Sequence, residues 1–219
     1  MITFEQIKKD PAIKTYISAA NDSLAALGFT DHSLAHVGHV AKMAGDLLES
    51  LGYDERTVEL TRIAAYMHDI GNLVNRVDHS QSGALMAFRI LDNMGMPPEE
   101  LALVTTAIGN HDEGTGDPVN AMSAALILAD KSDVRRSRVR NQDPATFDIH
   151  DRVNYSVTSS KLDINTECKT ITLRLTIDTA LGSVMNYFEI FLKRMIMCRK
   201  AAERLGLQFK LTINDQQLM

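Results

Sequence analysis

Apolar residues recur every three or four positions through the first 135 residues and alternate only near the end of the chain. That order predicts helices first and strands late. Ile13, Tyr16, Ile17, Ala20, Leu24 and Leu27 form one helical stripe, which Gly28 closes. Thr30 or Asp31 can cap a second helix, with Leu34, Val37, Ala41, Ala44, Leu48 and Leu51 inward and Gly52 as its stop. A third opens at Thr57, places Leu60, Ile63, Ala64 and Met67 inward and ends near Gly71. A fourth starts at Asp78 or Ser80, with Leu85, Phe88 and Leu91 inward, and stops at Gly95. Pro97-Pro98-Glu99-Glu100 puts prolines and acids where a helix begins, and that fifth helix carries Leu101, Val104, Ile108 and His111 on one face. After a glycine-rich loop at residues 114–118, a sixth turns Met122, Ala125, Leu126 and Ala129 inward.

The texture changes near residue 150. β-Branched residues in partial alternation predict strands over 153–164 and 169–177, joined by a turn at Asn165-Thr166-Glu167. A long helix follows, striped by Leu181, Val184, Phe188, Phe191, Met195 and Cys198, and then a strand over 207–213. The predicted organisation is a mainly α chain: a helical domain over 1–145 and a small α+β, β-β-α-β appendage over 150–219.

Composition narrows the function classes. A chain of 219 residues can bury a core without crosslinks, and 45% hydrophobic with 23% charged residues is ordinary for a globular protein. A net charge of −5 gives no basic field for nucleic acid. Cys168 and Cys198 are far apart and form no CxxC pair, so free thiols in a reducing compartment are expected. Charges at Glu5, Lys8, Lys9 and Asp10 break any secretory segment, and no apolar run approaches the roughly 20 residues that span a bilayer. A cytoplasmic location is the resulting expectation.

The chemistry lies in the histidines. His36, His68, His79 and His111 each sit beside a predicted helical core, and Asp69 and Asp130 accompany them. In Tyr66-Met67-His68-Asp69-Ile70 an imidazole and a carboxylate stand among apolar side chains. Burying an unpaired carboxylate is costly, and a divalent cation removes that cost while accepting the imidazole lone pair. Imidazole with carboxylate suits manganese, iron, zinc, cobalt or nickel; without a thiolate pair it is not a zinc-finger set. The glycine-rich Gly114-Thr115-Gly116 lacks the Lys-Ser/Thr ending of a phosphate loop and reads as a pocket rim.

Three segments together carry a family resemblance: His36-Val37-Gly38-His39-Val40-Ala41, Ala64-Ala65-Tyr66-Met67-His68-Asp69-Ile70-Gly71 and Leu128-Ala129-Asp130-Lys131. Over roughly residues 30–135 the chain resembles the HD-domain superfamily of metal-dependent phosphohydrolases. The resemblance implies an all-helical HD domain in which His36, His68, Asp69 and Asp130 hold a divalent metal, magnesium included among the candidates. It also implies a second ion held with His79 and His111, in which case Asp69 bridges the two. His68 and Asp69 then belong to the catalytic centre. The implied reaction is hydrolysis of a phosphomonoester or phosphodiester of a small phosphorylated molecule, a nucleotide being one candidate. The rival reading is a regulatory metal- or nucleotide-binding module with little catalysis.

Many members of that superfamily follow the doublet with Gly-Lys; here the residues are Ile70-Gly71-Asn72. The phosphate-facing cation is therefore sought in Lys131, and in Arg135, Arg136, Arg138 and Arg140 just beyond it. His32 and His39 share a stripe with His36 but read as solvent-facing or rim residues, and His150 as surface. The C-terminal strands expose an edge that invites a homodimer.

Overall fold

The computed structural model describes residues 1–141 and 143–218. Seven helices build the first part: α1 (Phe4–Lys9), α2 (Pro11–Ala26), α3 (Leu34–Ser50), α4 (Glu55–Met67), α5 (His79–Asn93), α6 (Pro98–Gly109) and α7 (Ala121–Ser132). Local chemistry starts them. Asp10, Ser33, Asp54 and Asn120 each accept backbone N–H groups at an N-terminus. Gly28, Gly52 and Gly95 take positive φ just past α2, α3 and α5, where a side chain would be strained. Helix α1 breaks no apolar stripe of its own and was not expected; a Thr3–Gln6 capping box holds it, and it buries Ile7.

Helix α7 is the axis of the fold. It runs through Met122–Ala129 with every residue buried and packs on α3, α4, α6 and the later helix α9 (Val184–Arg204). A helix apolar on all sides has to sit at the centre of a bundle. The same apolar cluster continues to the inner face of the C-terminal sheet through Phe191, Met195, Leu173 and Leu211, so the two parts share one core.

The C-terminal part departs from the expected order at its start. Residues 149–156 form helix α8 (Ile149–Ser156), not the beginning of a strand; the Asp148 carboxylate caps it by accepting from the Asp151 amide at 2.7 Å. Strand β1 (Val157–Asn165) begins only after it, and its register with β2 (Thr170–Ile177) slips between Val157 and Ser159. Helix α9 (Val184–Arg204) then carries the chain across, and β3 (Gln208–Ile213) lies parallel to β2, with the two-residue β4 (Gln216–Gln217) on its far side. Both cysteines are free, Cys198 in the core and Cys168 exposed. Among the described residues no helix is long and apolar enough to cross a membrane.

Helix α5 turns a face other than the one expected. Leu85 and Phe88 are exposed, and Ala84, Ala87 and Leu91 are buried. The reason is the close approach of α5 to the turn after α4. A Cβ on Gly71 would overlap the His79 carbonyl oxygen and the Gly83 amide, and one on Gly83 would lie 3.1 Å from the His68 carbonyl oxygen. Only a glycine fits at the contact of Gly83 with Gly71, and that packing brings the start of α5 against the His68-Asp69 turn.

Candidate metal centre

Five histidines converge where α3, α4, α5, α6 and α7 begin or end, and each is oriented in the same way. Nδ1 of His68 meets the carbonyl of Ala65 at 2.7 Å, that of His79 the carbonyl of Arg76 at 3.0 Å, and that of His111 the carbonyl of Ile108 at 2.6 Å. Each of these carbonyls lies three residues back along the chain. Nδ1 of His32 meets the Thr30 carbonyl at 2.7 Å, and Nδ1 of His36 meets Oδ2 of Asp133 at 2.7 Å. A carbonyl or carboxylate accepts only, so Nδ1 must carry the proton. In the neutral ring Nε2 is then a lone pair, as a metal ligand needs.

The Nε2 atoms surround Asp69. Its Oδ2 lies 3.1 Å from Nε2 of His68, 3.7 Å from His36 and 4.0 Å from His32. Its Oδ1 lies 3.6 Å from Nε2 of His79 and 3.9 Å from His111. Asp130 closes the first group, with Oδ1 3.4 Å from Nε2 of His36 and 3.7 Å from His68. The two oxygens of one carboxylate thus face two different groups of imidazoles.

This arrangement fits cations. His36, His68 and Asp130 offer ligand atoms within 4.8 Å of one another, and so do His68, Asp69 and His111. Nε2 of His36 and of His68 is buried without a hydrogen-bond partner, a penalty that a ligated ion removes. Nε2 of His79 and of His111 are 3.2 Å apart, and two lone pairs at that distance need a positive charge or a proton between them.

Electrostatics set His68 apart from the other rings. Burial holds the pKa of His32 and His111 well below the ordinary value and lowers that of His79, keeping their rings neutral. Burial acts the same way on His68, but the Asp69 and Asp130 carboxylates outweigh it and push that pKa up to about 10. Burial opposes ionisation of Asp69, yet the neighbouring imidazoles, His68 first, hold its carboxyl well below the usual range. Asp133 is likewise kept ionised against burial by the His36 ring N–H, Arg138 and Arg135.

A cleft of about 360 Å³ opens onto this centre. Lys131 lines it, fully enclosed, with Nζ 2.8 Å from Oδ2 of Asp130 and 2.6 Å from Oε2 of Glu113. The arginine run divides. Arg138 reaches the cleft wall, with its Nε and Nη1 donating to the backbone carbonyls of Asp31 and Asp133. Arg135 and Arg136 are not brought to the cleft. Arg135 folds back on Asp133, and Arg136 donates to the Tyr155 carbonyl at 2.6 Å while stacking over the Tyr155 ring. Arg140 turns to Asn21 and Asp31. His150, exposed, stands on the rim, and His39 is half-exposed on the far side of Asp133.

Several residues of the centre escape a reading of spacing. Asn72, in the position where a lysine was sought, is buried and donates from Nδ2 to both the backbone and Oδ1 of Asp69, each at 2.9 Å. It orients that carboxylate. Arg76 supplies a cation there instead: it lines the cleft, donating to Oδ1 of Asn72. His32 lies deeper than a rim residue, with its Nε2 facing Asp69. Asp133, three residues past Asp130 at the same helix end, and Asn72, three past Asp69, carry a weak local signal in that spacing. Glu113 carries one too, two residues past His111, whereas Arg194 carries none, because α9 is placed beside α7 by packing alone.

Comparison with known proteins follows the same segments. A family model, the HD domain, matches residues 33–144. The uncharacterised protein MJ1020 of Methanocaldococcus jannaschii is 28% identical over 160 residues, covering 63% of this chain and 61% of that protein. The chain therefore spans about three-fifths of the length of the curated relative it matches. Among solved structures, a predicted HD superfamily hydrolase from an uncultured Thermotogales bacterium aligns with a TM-score of 0.43 at 23% identity, over 62% of this chain and 75% of that one.

Proposed function

We propose that this chain, which belongs to the HD-domain family, is a metal-dependent hydrolase that cleaves a phosphoester of a small phosphorylated molecule at a centre where Asp69 would be shared by two cations. The observation that carries this reading is the common orientation of the imidazoles: Nδ1 anchored, Nε2 turned inward around one carboxylate whose two oxygens face different groups.

In this reading His36, His68, Asp69 and Asp130 would hold one divalent ion, and Asp69, His79 and His111 would hold the other. Such ions supply a nucleophilic water at neutral pH and neutralise charge on a phosphoryl oxygen. The protein's own residues do the rest. Asn72 fixes the bridging carboxylate, and Asp133 fixes the His36 ring. Lys131 remains charged because Asp130 and Glu113 outweigh its burial, and it lines the cleft beside the ligands. Arg76 presents a guanidinium next to His79. These cations favour an anionic substrate, as arginine forks match phosphate oxygens.

The test joins metal analysis to turnover. Purified protein should contain one to two equivalents of a transition metal and, with added manganese, hydrolyse members of a panel of nucleotides and sugar phosphates. The combined His68→Ala, Asp69→Ala variant should lose both properties. Metal content unchanged in that variant would refute the ligand set. Full metal loading without turnover on any phosphoester would instead favour the regulatory module.

A further inference from the structure

The cleft holds a second anion-binding group that the metal centre does not use. Arg194 comes from α9, in the C-terminal part, and reaches the cleft that opens on the HD centre. Its Nε donates to Oε1 of Glu113 at 2.9 Å, and its guanidinium lies over the Phe191 ring at 4.6 Å from the centroid. Those two contacts fix the plane and one edge of the fork. Its terminal nitrogens, Nη1 and Nη2, donate to no protein atom among the described residues, although only 24% of the side chain is exposed.

Neighbouring cations are committed differently. Lys131, though charged, is ion-paired with both Asp130 and Glu113, and two of the three guanidinium nitrogens of Arg138 are tied to carbonyls. Glu113 is shared between Lys131 and Arg194, and it engages Arg194 at Nε alone. An arginine held at Nε, stacked on an aromatic ring and open at its Nη edge is preorganised for a bidentate oxyanion, with little rotamer freedom left to lose.

We propose that Arg194 is a substrate-binding residue that receives a second anionic group of the substrate, a phosphate or a carboxylate, while the first phosphoryl group sits at the metal centre. This rests on the phosphohydrolase reading above and deepens it. The substrate class becomes a small molecule with two anionic groups, such as a diphosphate or a phosphorylated acid. The C-terminal part then completes the active cleft.

Binding of simple anions tests this without turnover. Manganese-loaded protein is titrated calorimetrically with orthophosphate, with pyrophosphate and with phosphoglycolate, in the wild type and in the Arg194→Gln and Arg194→Lys variants. The wild type should prefer at least one of the two-group anions over orthophosphate by about tenfold or more, and which one it prefers separates a second phosphate from a carboxylate. Arg194→Gln should erase that preference, with orthophosphate affinity and metal content within about twofold of wild type; Arg194→Lys should keep part of it. A preference that survives in Arg194→Gln would overturn the proposal. So would an equal weakening of all three anions, which would mean that Arg194 acts only through Glu113 and Lys131. Failure of metal-loaded wild type to bind any of the anions would overturn the phosphohydrolase reading and this inference with it; orthophosphate binding without a preference would overturn this inference alone.

Discussion

Replacing Asp133 by Asn should weaken one cation position and leave the other nearly intact. Asp133 is 2% exposed and accepts the Nδ1–H of His36 at 2.7 Å, a short, charge-assisted bond across helices α3 and α7. The carboxylate fixes the tautomer of His36 and makes its Nε2 a stronger donor to a metal. Loss of such a supporting group costs about 10- to 100-fold in metal affinity, or roughly 1.4–2.8 kcal/mol. The amide is nearly isosteric, and Arg138 keeps its bonds to the carbonyls of Asp31 and Asp133, so the fold should survive with a loss of about 1–2 kcal/mol. Since Asp133 touches His36 and neither His79 nor His111, the effect should fall on the position built from His36, His68, Asp69 and Asp130. Stripped protein titrated with manganese or zinc against a chromophoric chelator resolves the two constants, and circular dichroism checks the fold. Both constants within twofold of wild type in a folded variant would refute the assigned role.

Three further outcomes are expected. Asn72→Ala removes both bonds to Asp69, and because that carboxylate faces both groups of imidazoles, the same titration should show both constants rising, on the order of tenfold. Glu100, whose pKa the Arg56 hydrogen bonds hold below its ordinary 4.5, ionises more readily folded than unfolded; its contribution is complete above the unfolded value and is lost as pH falls through the folded one. Urea denaturation should therefore show Glu100→Gln about 1 kcal/mol less stable than wild type at neutral pH, with the difference shrinking as pH falls through the folded-state value. Self-association is expected too: β1 is an edge strand, and Met185, Leu192 and Ile196 stand exposed along α9, so light scattering at micromolar concentration should give twice the chain mass, and a monomer throughout would dismiss the dimer.

The helical stripes, the late strands and the order of the candidate His and Asp residues were legible along the chain because each depends on near neighbours. A stripe is a matter of residues three or four apart. His68, His79 and His111 find their orienting carbonyls three residues back, so their geometry is almost a local property of helix ends. Local patterns misled where two periods overlap: residues 153–156 alternate like a strand, yet the Asp148 cap makes them helix.

What tertiary structure alone decided is which distant groups meet. The face of α5 depends on how closely its glycine approaches the turn at Gly71, not on which of its residues is most apolar. His36 and Asp133 are 97 residues apart and Glu113 and Arg194 81 apart, and no spacing rule connects them. A hydrogen bond or ion pair is a short-range interaction, and packing of α3 and α9 on α7 sets these separations. The chain itself thus specified a set of imidazoles and carboxylates suited to metal; the fold chose which carboxylate orients His36 and which arginine faces the cleft.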